Sequence, residues 1–374
     1  MHGLRKDGPG NRGFRPGVLT GALLAGLLVA LAACSQTSGG TAAGAVGLKI
    51  TWFQLQSGIF APVADPHAAV SVANRPWTVQ ARVADMAFLD DTLYCAVNGS
   101  GLASMGKDAA GAPVFSYHPD SLIFAHRTVT TLVPRQGALA IHLYYNALLN
   151  DASLQDLAIS GISLVSYLPA QSDYAFLISP FQRKNPDWEA VGFAPESENS
   201  FDFEWKYTDA SETRFAYTRY HADTRAEEAV DRETYLAALG VPSITGPDVP
   251  TTLAAFFASC RAGISLPSSD TALQFSLRSR ESPVRRNYRS QKESDSAVAV
   301  PVFQEQGSLF ALLPAGKVLS AVSGGSRTIA LPRLPQGFRY TDLVKWGDAL
   351  VLPWEETSFT DVGRAGILVF PLPR

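Results

Sequence analysis

The sequence has few cysteines, few histidines and few charged residues. Of its 374 residues, 3 are cysteine and 6 are histidine, and charged residues make up 17% of the chain. The histidines are scattered along the chain, so we expect no resident metal ion. Beyond position 34 the only cysteines are Cys95 and Cys260, which can form at most one disulfide. Cys95 lies at strand spacing between Leu93 and Val97, where a free cysteine packs as a small apolar side chain.

The motifs of several common enzyme classes are also absent. The chain contains no H-E-x-x-H, no G-x-S-x-G, no P-loop and no dinucleotide-binding glycine pattern. The reactions that depend on these motifs therefore lose most of their support. We predict no catalytic residues and no cofactor from the sequence.

Long apolar runs are missing except at the N-terminus. The sixteen residues at positions 18–33 carry no charge, and four basic residues precede them within the first 15 positions. The run is shorter than the roughly 20 residues that a membrane-spanning helix needs. It ends in Leu31-Ala32-Ala33-Cys34, where small residues precede a cysteine. This arrangement predicts a cleaved export signal.

These four residues match the pattern shared by bacterial lipoproteins, and the N-terminus resembles that group. The resemblance implies that Cys34 is acylated and becomes the first residue of the mature chain. The alternative is an ordinary secretory signal with a chance cysteine at the cleavage site. We predict a signal peptide at 1–33 and a flexible tether of small residues at 34–47, which would hold the body roughly 20 Å from the bilayer. The expected location is the cell envelope, either periplasmic or at the cell surface, with the lipid binding the membrane.

Removing the signal changes the charge of the chain. The full sequence has 31 Lys and Arg against 34 Asp and Glu, and positions 1–33 hold four of the basic residues and one of the acidic residues. The remaining 27 basic and 33 acidic residues give a net charge of −6. Because nucleic-acid binding needs a cationic surface, we expect no nucleic-acid partner.

A pattern of two short apolar strands joined by a tight polar turn recurs along the chain. Its clearest copies span residues 83–98, 129–146, 299–312 and 340–355. Asp85 of the first copy aligns with Asp342 of the last. The second strands of the copies are apolar on both faces, which is typical of strands that are buried on two sides.

The spacing of the copies predicts the fold class. Leu93 and Leu139 are 46 residues apart, and Leu309 and Leu350 are 41 residues apart. These distances are the lengths of propeller blades. Weaker copies around 174–178, 215–217 and 273–277 bring the total to seven. The sequence therefore predicts an all-β protein, a seven-bladed β-propeller, although no specific propeller family is indicated.

Two segments depart from the repeat. Residues 226–239 and 251–262 have the pattern of helices, with Gly240 closing the first. We place them in a helical insertion at about 222–262 of a propeller domain that spans 48–374. The extended segments 48–55 and 366–372 are expected to join in one blade and so close the ring.

Loops that follow the second strand of each blade would gather on one face of a propeller. This analogy gives a candidate binding face composed of Asn98, Asn146, Arg183, His221 and Glu355. It is an argument from fold and does not itself imply a function.

A second candidate site is a basic segment at positions 278–292. It concentrates Arg278, Arg280, Arg285, Arg286 and Arg289. Such a patch would attract an acidic partner, a polyanionic glycan or lipid headgroups. The alternative is a solvated hairpin whose arginines pair with Glu281 and Glu293.

The acidic and aromatic stretch at 187–207 is the third candidate. Paired carboxylates beside aromatic rings suit glycoside hydrolysis, but carboxylates on a solvated loop are the commoner case. We therefore predict a membrane-anchored lipoprotein that acts as a non-enzymatic binding or scaffold module for an envelope protein partner. The alternatives are an exported enzyme acting on glycans or other polar substrates, and a small-ligand sensor.

Overall fold

Strands make up most of the computed structural model of the chain. It describes residues 49–373 apart from 57, 70–71, 74–81, 125–126, 146–161, 179–187, 210, 241–242, 248, 291–296, 315, 323–324 and 358–361. The predicted signal and tether at 1–47 lie outside these residues. The described chain begins with β1 (Thr51–Gln56), β2 (Ile59–Val63), a short 3-10 turn (Pro66–Ala68) and β3 (Val72–Ala73). No helix in the described part is long and apolar enough to cross a membrane.

The next eight strands form two four-stranded antiparallel meanders. Sheet 1 contains β4 (Val83–Leu89), β5 (Thr92–Val97), β6 (Gly101–Lys107) and β7 (Pro113–Pro119). After α1 (Ser121–Phe124), sheet 2 contains β8 (Arg127–Arg135), β9 (Ala138–Tyr145), β10 (Ile162–Leu168) and β11 (Asp173–Ile178). The first hairpin of each sheet is one copy of the sequence repeat.

Sheet 3 is a third meander, followed by two helices. It contains β12 (Trp188–Pro195), β13 (Ser200–Thr208), β14 (Thr213–His221) and β15 (Ala226–Val230). The helices are α2 (Arg232–Leu239) and α3 (Thr251–Ala262). The predicted bounds of the second helix are confirmed. The first prediction is wrong over 226–230, because this segment pairs with β14 and the helix starts only where Asp231 caps it by accepting a hydrogen bond from the Thr234 amide at 2.7 Å.

Sheet 4 extends a fourth meander by two strands. It contains β16 (Ala272–Ser279), β17 (Arg286–Arg289), β18 (Ala297–Glu305), β19 (Ser308–Leu313), β20 (Lys317–Val322) and β21 (Gly325–Ala330). β18 to β21 form the meander, and β16 pairs with β18 in parallel. Phe256 and Phe257 of α3 pack with Phe275 and Tyr288 of this sheet in one apolar cluster.

Sheet 5 joins the two ends of the described chain. It combines β1 and β2 with β22 (Phe338–Tyr340), β23 (Val344–Trp346), β24 (Ala349–Glu356) and β26 (Ala365–Pro371), while β25 (Val362–Gly363) pairs with β3. Thr51 of β1 lies opposite Val369 of β26, which confirms the expected pairing of the terminal segments. Gly366 permits the close approach, because a Cβ at this position would lie 1.9 Å from the Phe53 carbonyl oxygen.

The described residues contain five sheets of four or more strands, so the count of seven blades is not confirmed. The four clear copies of the repeat fall in four different sheets, and the weak copy at 215–217 lies in sheet 3. The copies at 174–178 and 273–277 are β11 and β16, which belong to sheets 2 and 4. They made the number of blades predicted from the sequence too high, because any apolar strand that follows a polar turn resembles the repeat.

Apolar cores connect the sheets in the order 4, 5, 1, 2, 3. Along β4, Met86 and Phe88 pack into a core shared with sheets 4 and 5. The alternate residues Ala87 and Leu89 pack into a second core shared with sheet 2. A third core joins sheets 2 and 3. The second strands of the copies are buried in the same way, since residues 93–97 of β5 and 139–143 of β9 are buried throughout, which confirms their predicted burial on both faces.

Candidate functional site

A large cavity lies where sheets 1, 4 and 5 approach one another. Its volume is about 1070 Å³, slightly above the roughly 300–1,000 Å³ that is typical of ligand pockets. Four arginines contribute to its lining, namely Arg82, Arg285, Arg333 and Arg339. Four prolines and several leucines and valines also line it, and we call this cavity the arginine cleft.

A cluster of four charged residues closes the inner end of the arginine cleft. The Arg278 Nη2 donates to Asp85 Oδ1 at 2.5 Å and to Asp342 Oδ2 at 2.8 Å. The Arg285 Nη2 donates to the same two oxygens at 2.5 Å and 3.1 Å. Two carboxylates and two guanidinium groups thus neutralise each other, and we call them the charge cluster.

The two aspartates of the charge cluster occupy equivalent positions in the repeat. The Asp85 Oδ1 accepts a hydrogen bond from the Met86 amide at 2.9 Å, and the Asp342 Oδ1 accepts one from the Leu343 amide at 2.8 Å. The Asp85 Oδ2 also accepts from the Leu132 amide of sheet 2 at 2.7 Å. Asp85 therefore ties three sheets together, which explains a buried carboxylate at this point.

Burial dominates the ionisation of both aspartates. It raises the pKa of Asp342 to about 6, against the opposing effect of the Arg285 guanidinium, and the negative charge of Asp85 raises it further. Burial also raises the pKa of Asp85, while Arg285 and the amides of Leu132 and Met86 lower it. The pKa of Asp342 thus depends on how far its arginine partners offset the loss of hydration of its carboxylate.

The outer part of the arginine cleft carries a cationic excess. Glu355 is buried and accepts from Arg339 Nη2 at 2.7 Å, while Arg82 Nη1 lies 3.7 Å from its other carboxylate oxygen. Arg333 is exposed and makes no ion pair or hydrogen bond within the described part of the chain. Three guanidinium groups therefore face one carboxylate in this part of the cleft.

A second, smaller cavity of about 260 Å³ lies on the other side of the charge cluster. Asp85 and Arg285 line both cavities, and Arg278 lines the smaller one. The cluster is thus a partition between them.

Of the predicted binding face, the structure describes Asn98, His221 and Glu355. Glu355 lines the cleft, and Asn98 lies near it, since its amide donates to the Arg82 carbonyl at 3.1 Å. The Asn98 side chain is buried and accepts from the Val129 amide at 2.9 Å. His221 ends the third strand of sheet 3 and contacts Ser200 and Glu228. Asn146 and Arg183 lie outside the described residues.

Most of the predicted basic patch is engaged in internal ion pairs. Arg278 and Arg285 belong to the charge cluster, and Arg280 donates to Glu305 at 2.8 Å and to Asp91 at 2.7 Å. Arg286 is exposed and Arg289 is half-buried on β17. The compensating acids come from sheets 1, 4 and 5, so local sequence did not indicate them.

The predicted acidic candidate in 187–207 is dispersed along a hairpin. Asp202 is fully buried and paired with Arg219 at 2.7 Å, and Glu204 accepts from the Tyr217 hydroxyl at 3.2 Å. Among the described residues, no group of three His, Cys, Asp or Glu side chains could hold a metal ion. Cys95 and Cys260 are both buried free thiols, so the possible disulfide is not formed.

Sequence reasoning missed the arginine cleft, although one signal was present. The alignment of Asp85 with Asp342 placed two carboxylates at equivalent strand positions. In sheets that pack side by side, such positions face a common centre. Nothing local indicated that Arg333 and Arg339 would flank this centre from the segment before β23.

Comparison with known proteins adds a family but no activity. The model of a family of unknown function, DUF8086, matches residues 47–374. This chain belongs to the DUF8086 family. No curated protein matches this DUF8086 chain in sequence.

Several solved structures share a weak likeness with the DUF8086 chain. The AtxE2 isopeptidase is 8% identical over 79% of this chain and 51% of that chain, with a TM-score of 0.38. The polysaccharide lyase Uly1 is 9% identical over 88% and 100% of the two chains (TM-score 0.33), and the WD40 β-propeller domain of Doa1 is 9% identical over 80% and 96% (TM-score 0.26). The chain spans about half the length of the isopeptidase. Likenesses this weak carry no argument about function.

Proposed function

We propose that this protein is a lipid-anchored binding module of the bacterial cell envelope, which holds another envelope protein in the arginine cleft without converting it chemically. The observation that carries the proposal is the charge state of the cleft. Every acidic residue that lines it is ion-paired, whereas cationic groups remain exposed. Such a lining favours recognition, because no free carboxylate is placed to act as an acid or a base.

The anchor in this proposal is the lipid on Cys34. The uncharged run at 18–33, the small residues before Cys34 and the tether at 34–47 support it. Stable anchoring takes two or more acyl chains, and a tether of small residues lets the body reach a partner close to the membrane. The location is the periplasm or the cell surface.

The body in this proposal is a β-propeller. The order of the sheets, the burial of both faces of β4 and the pairing of β1 with β26 support this arrangement. The five sheets of four or more strands in the described part of the chain favour five blades over the seven expected from the repeat. In a propeller the equivalent aspartates of different blades point toward one axis, which accounts for the meeting of Asp85 and Asp342.

Affinity capture from envelope membranes, quantified by mass spectrometry, tests the proposal. The wild-type protein is expected to retain a stoichiometric partner in detergent, and Arg333→Glu is expected to lower its recovery at least tenfold. Arg232→Glu, at an exposed arginine on α2, is the matched control and should leave recovery unchanged. Cys34→Ala should move the protein to the soluble fraction. Absence of a partner, or equal recovery with Arg333→Glu, would contradict the proposed function.

One observation favours a second candidate, an exported enzyme acting on glycans or other polar substrates. Asp342 lines the cleft and has a pKa of about 6, which suits a proton donor near neutral pH. Against this, both aspartates bind the same two arginines. A screen of glycan substrates separates the candidates. An enzyme would turn over one of them and lose that turnover in Asp342→Asn, whereas a binding module would turn over none.

A further inference from the structure

We infer that the arginine cleft recognises an acidic, extended peptide segment of its partner, with Arg333 and Arg339 binding the partner's carboxylates. This inference rests on the proposed function and adds the chemistry of the ligand. The mature chain carries a net charge of −6, so an anionic partner is repelled by most of the protein. On such a chain, a cationic cleft is the electrostatically favourable place for an anionic segment to bind.

The geometry of the outer cleft suits a carboxylate. Arg339 is 55% exposed although it binds Glu355, so part of its guanidinium group faces solvent. Arg333 is exposed and has no partner within the described residues. A guanidinium fork binds carboxylates in a bidentate way, and each charge-assisted contact is roughly twice as strong as a neutral hydrogen bond.

The rest of the lining favours a peptide over a sugar. The Phe338 ring is covered by the Arg364 guanidinium at 4.6 Å and lies 5.9 Å from the ring of Trp354. The Tyr340 ring stacks on Trp52. Each ring therefore already has one neighbour packed against it, and the carboxylates that would accept sugar hydroxyls are in ion pairs.

Apolar groups of the cleft complete the match to a peptide. Prolines lie at four positions of the lining, which are Pro301, Pro314, Pro332 and Pro353. Leu331 and Leu334 lie on either side of the segment that carries Arg333. Apolar and cationic groups in the same lining suit an extended peptide that carries both leucine-like and acidic side chains.

Titration calorimetry with defined probes tests this inference on the mature lipid-anchored protein in detergent. The probes are acetylated hexaglutamate, its hexaglutamine counterpart and tetragalacturonate. Hexaglutamate is expected to bind at least tenfold more tightly than hexaglutamine, and more tightly than the uronate. Raising the salt concentration from 50 to 300 mM should weaken this binding.

Two variants assign the binding to the cleft. Arg333→Ala is expected to weaken hexaglutamate binding about tenfold, and Arg339→Lys, which keeps the charge but loses the fork, should weaken it by a smaller factor. Arg232→Ala should have no effect. Circular dichroism melting confirms that each variant remains folded.

Three results would overturn the inference. Equal binding of hexaglutamate and hexaglutamine would remove the role of carboxylates, and tighter binding of tetragalacturonate would assign the cleft to an acidic glycan. Unchanged hexaglutamate affinity in Arg333→Ala would place the binding elsewhere. If captured partner recovery still fell with Arg333→Glu, the proposed function would stand and only the ligand chemistry would be wrong.

Discussion

At the residue scale, Asp342 gives the stability of the protein a defined pH dependence. Its pKa in the folded protein is raised from 3.8 to about 6, so the folded state binds this proton more tightly than the unfolded chain does. The resulting stabilisation is fully present below pH 3.8 and is lost as the pH rises through about 6. It amounts to at most about 3 kcal/mol.

Urea unfolding of the wild type and Asp342→Asn at several pH values measures this effect. The asparagine cannot titrate, so the unfolding free energy of the wild type relative to the variant should decrease between pH 4 and pH 7. A relative increase over the same interval would mean that the arginine partners outweigh burial, and the assigned direction of the pKa shift would be wrong.

The two buried cysteines lead to a prediction about thiol reactivity. Burial raises the pKa of Cys95 to about 12 and the pKa of Cys260 to about 12, so neither forms the reactive thiolate at neutral pH. In a Cys34→Ser variant, a disulfide-exchange reagent at pH 8 should label no thiol in the folded protein. It should label two in denaturant without a reductant. Labelling of none in denaturant would reveal a disulfide.

At the scale of elements, Gly366 controls the junction between the two ends of sheet 5. A Cβ there would lie 1.9 Å from the Phe53 carbonyl oxygen and 2.5 Å from the Trp354 ring, so Gly366→Ala forces β1 and β26 apart. We expect a loss of roughly 3 kcal/mol in unfolding free energy, or failure to fold. Gly106→Ala on β6, where a Cβ meets no atom within 4 Å, is the matched control and should change stability little. Equal stability of the two variants would contradict the terminal pairing.

Elements were predictable from sequence where local pattern and tertiary packing agree. The repeat hairpins contain short turns in which residues such as Gln306 and Gly307 adopt positive φ angles, and the apolar strands on either side fix the register. The helix predicted over 226–230 was wrong because an acidic and alanine-rich segment has the sequence pattern of a helix, whereas pairing with β14 makes it a strand. The arginine cleft was not predicted because its charged residues come from distant parts of the sequence.

At the scale of the whole molecule, the proposed binding site is a cationic cleft in a chain that has more acidic than basic residues. Most of the exposed large apolar residues are single positions on separate elements, for example Val114 on β7 and Val322 on β20, and one pair, Leu236 and Leu239, lies one turn apart on α2. Isolated exposed apolar residues are normal on a soluble surface and do not indicate docking. The cleft therefore remains the feature that distinguishes one region of the protein from the others.

Photocrosslinking in living cells tests this central claim most directly. A photoreactive phenylalanine analogue at position 334 lies in the lining of the arginine cleft, and the same analogue at position 114 lies on an exposed part of sheet 1. We expect one dominant protein adduct from position 334, no such adduct from position 114, and loss of the adduct when Arg333→Glu is added. No adduct from position 334, or the same adduct from both positions, would contradict it.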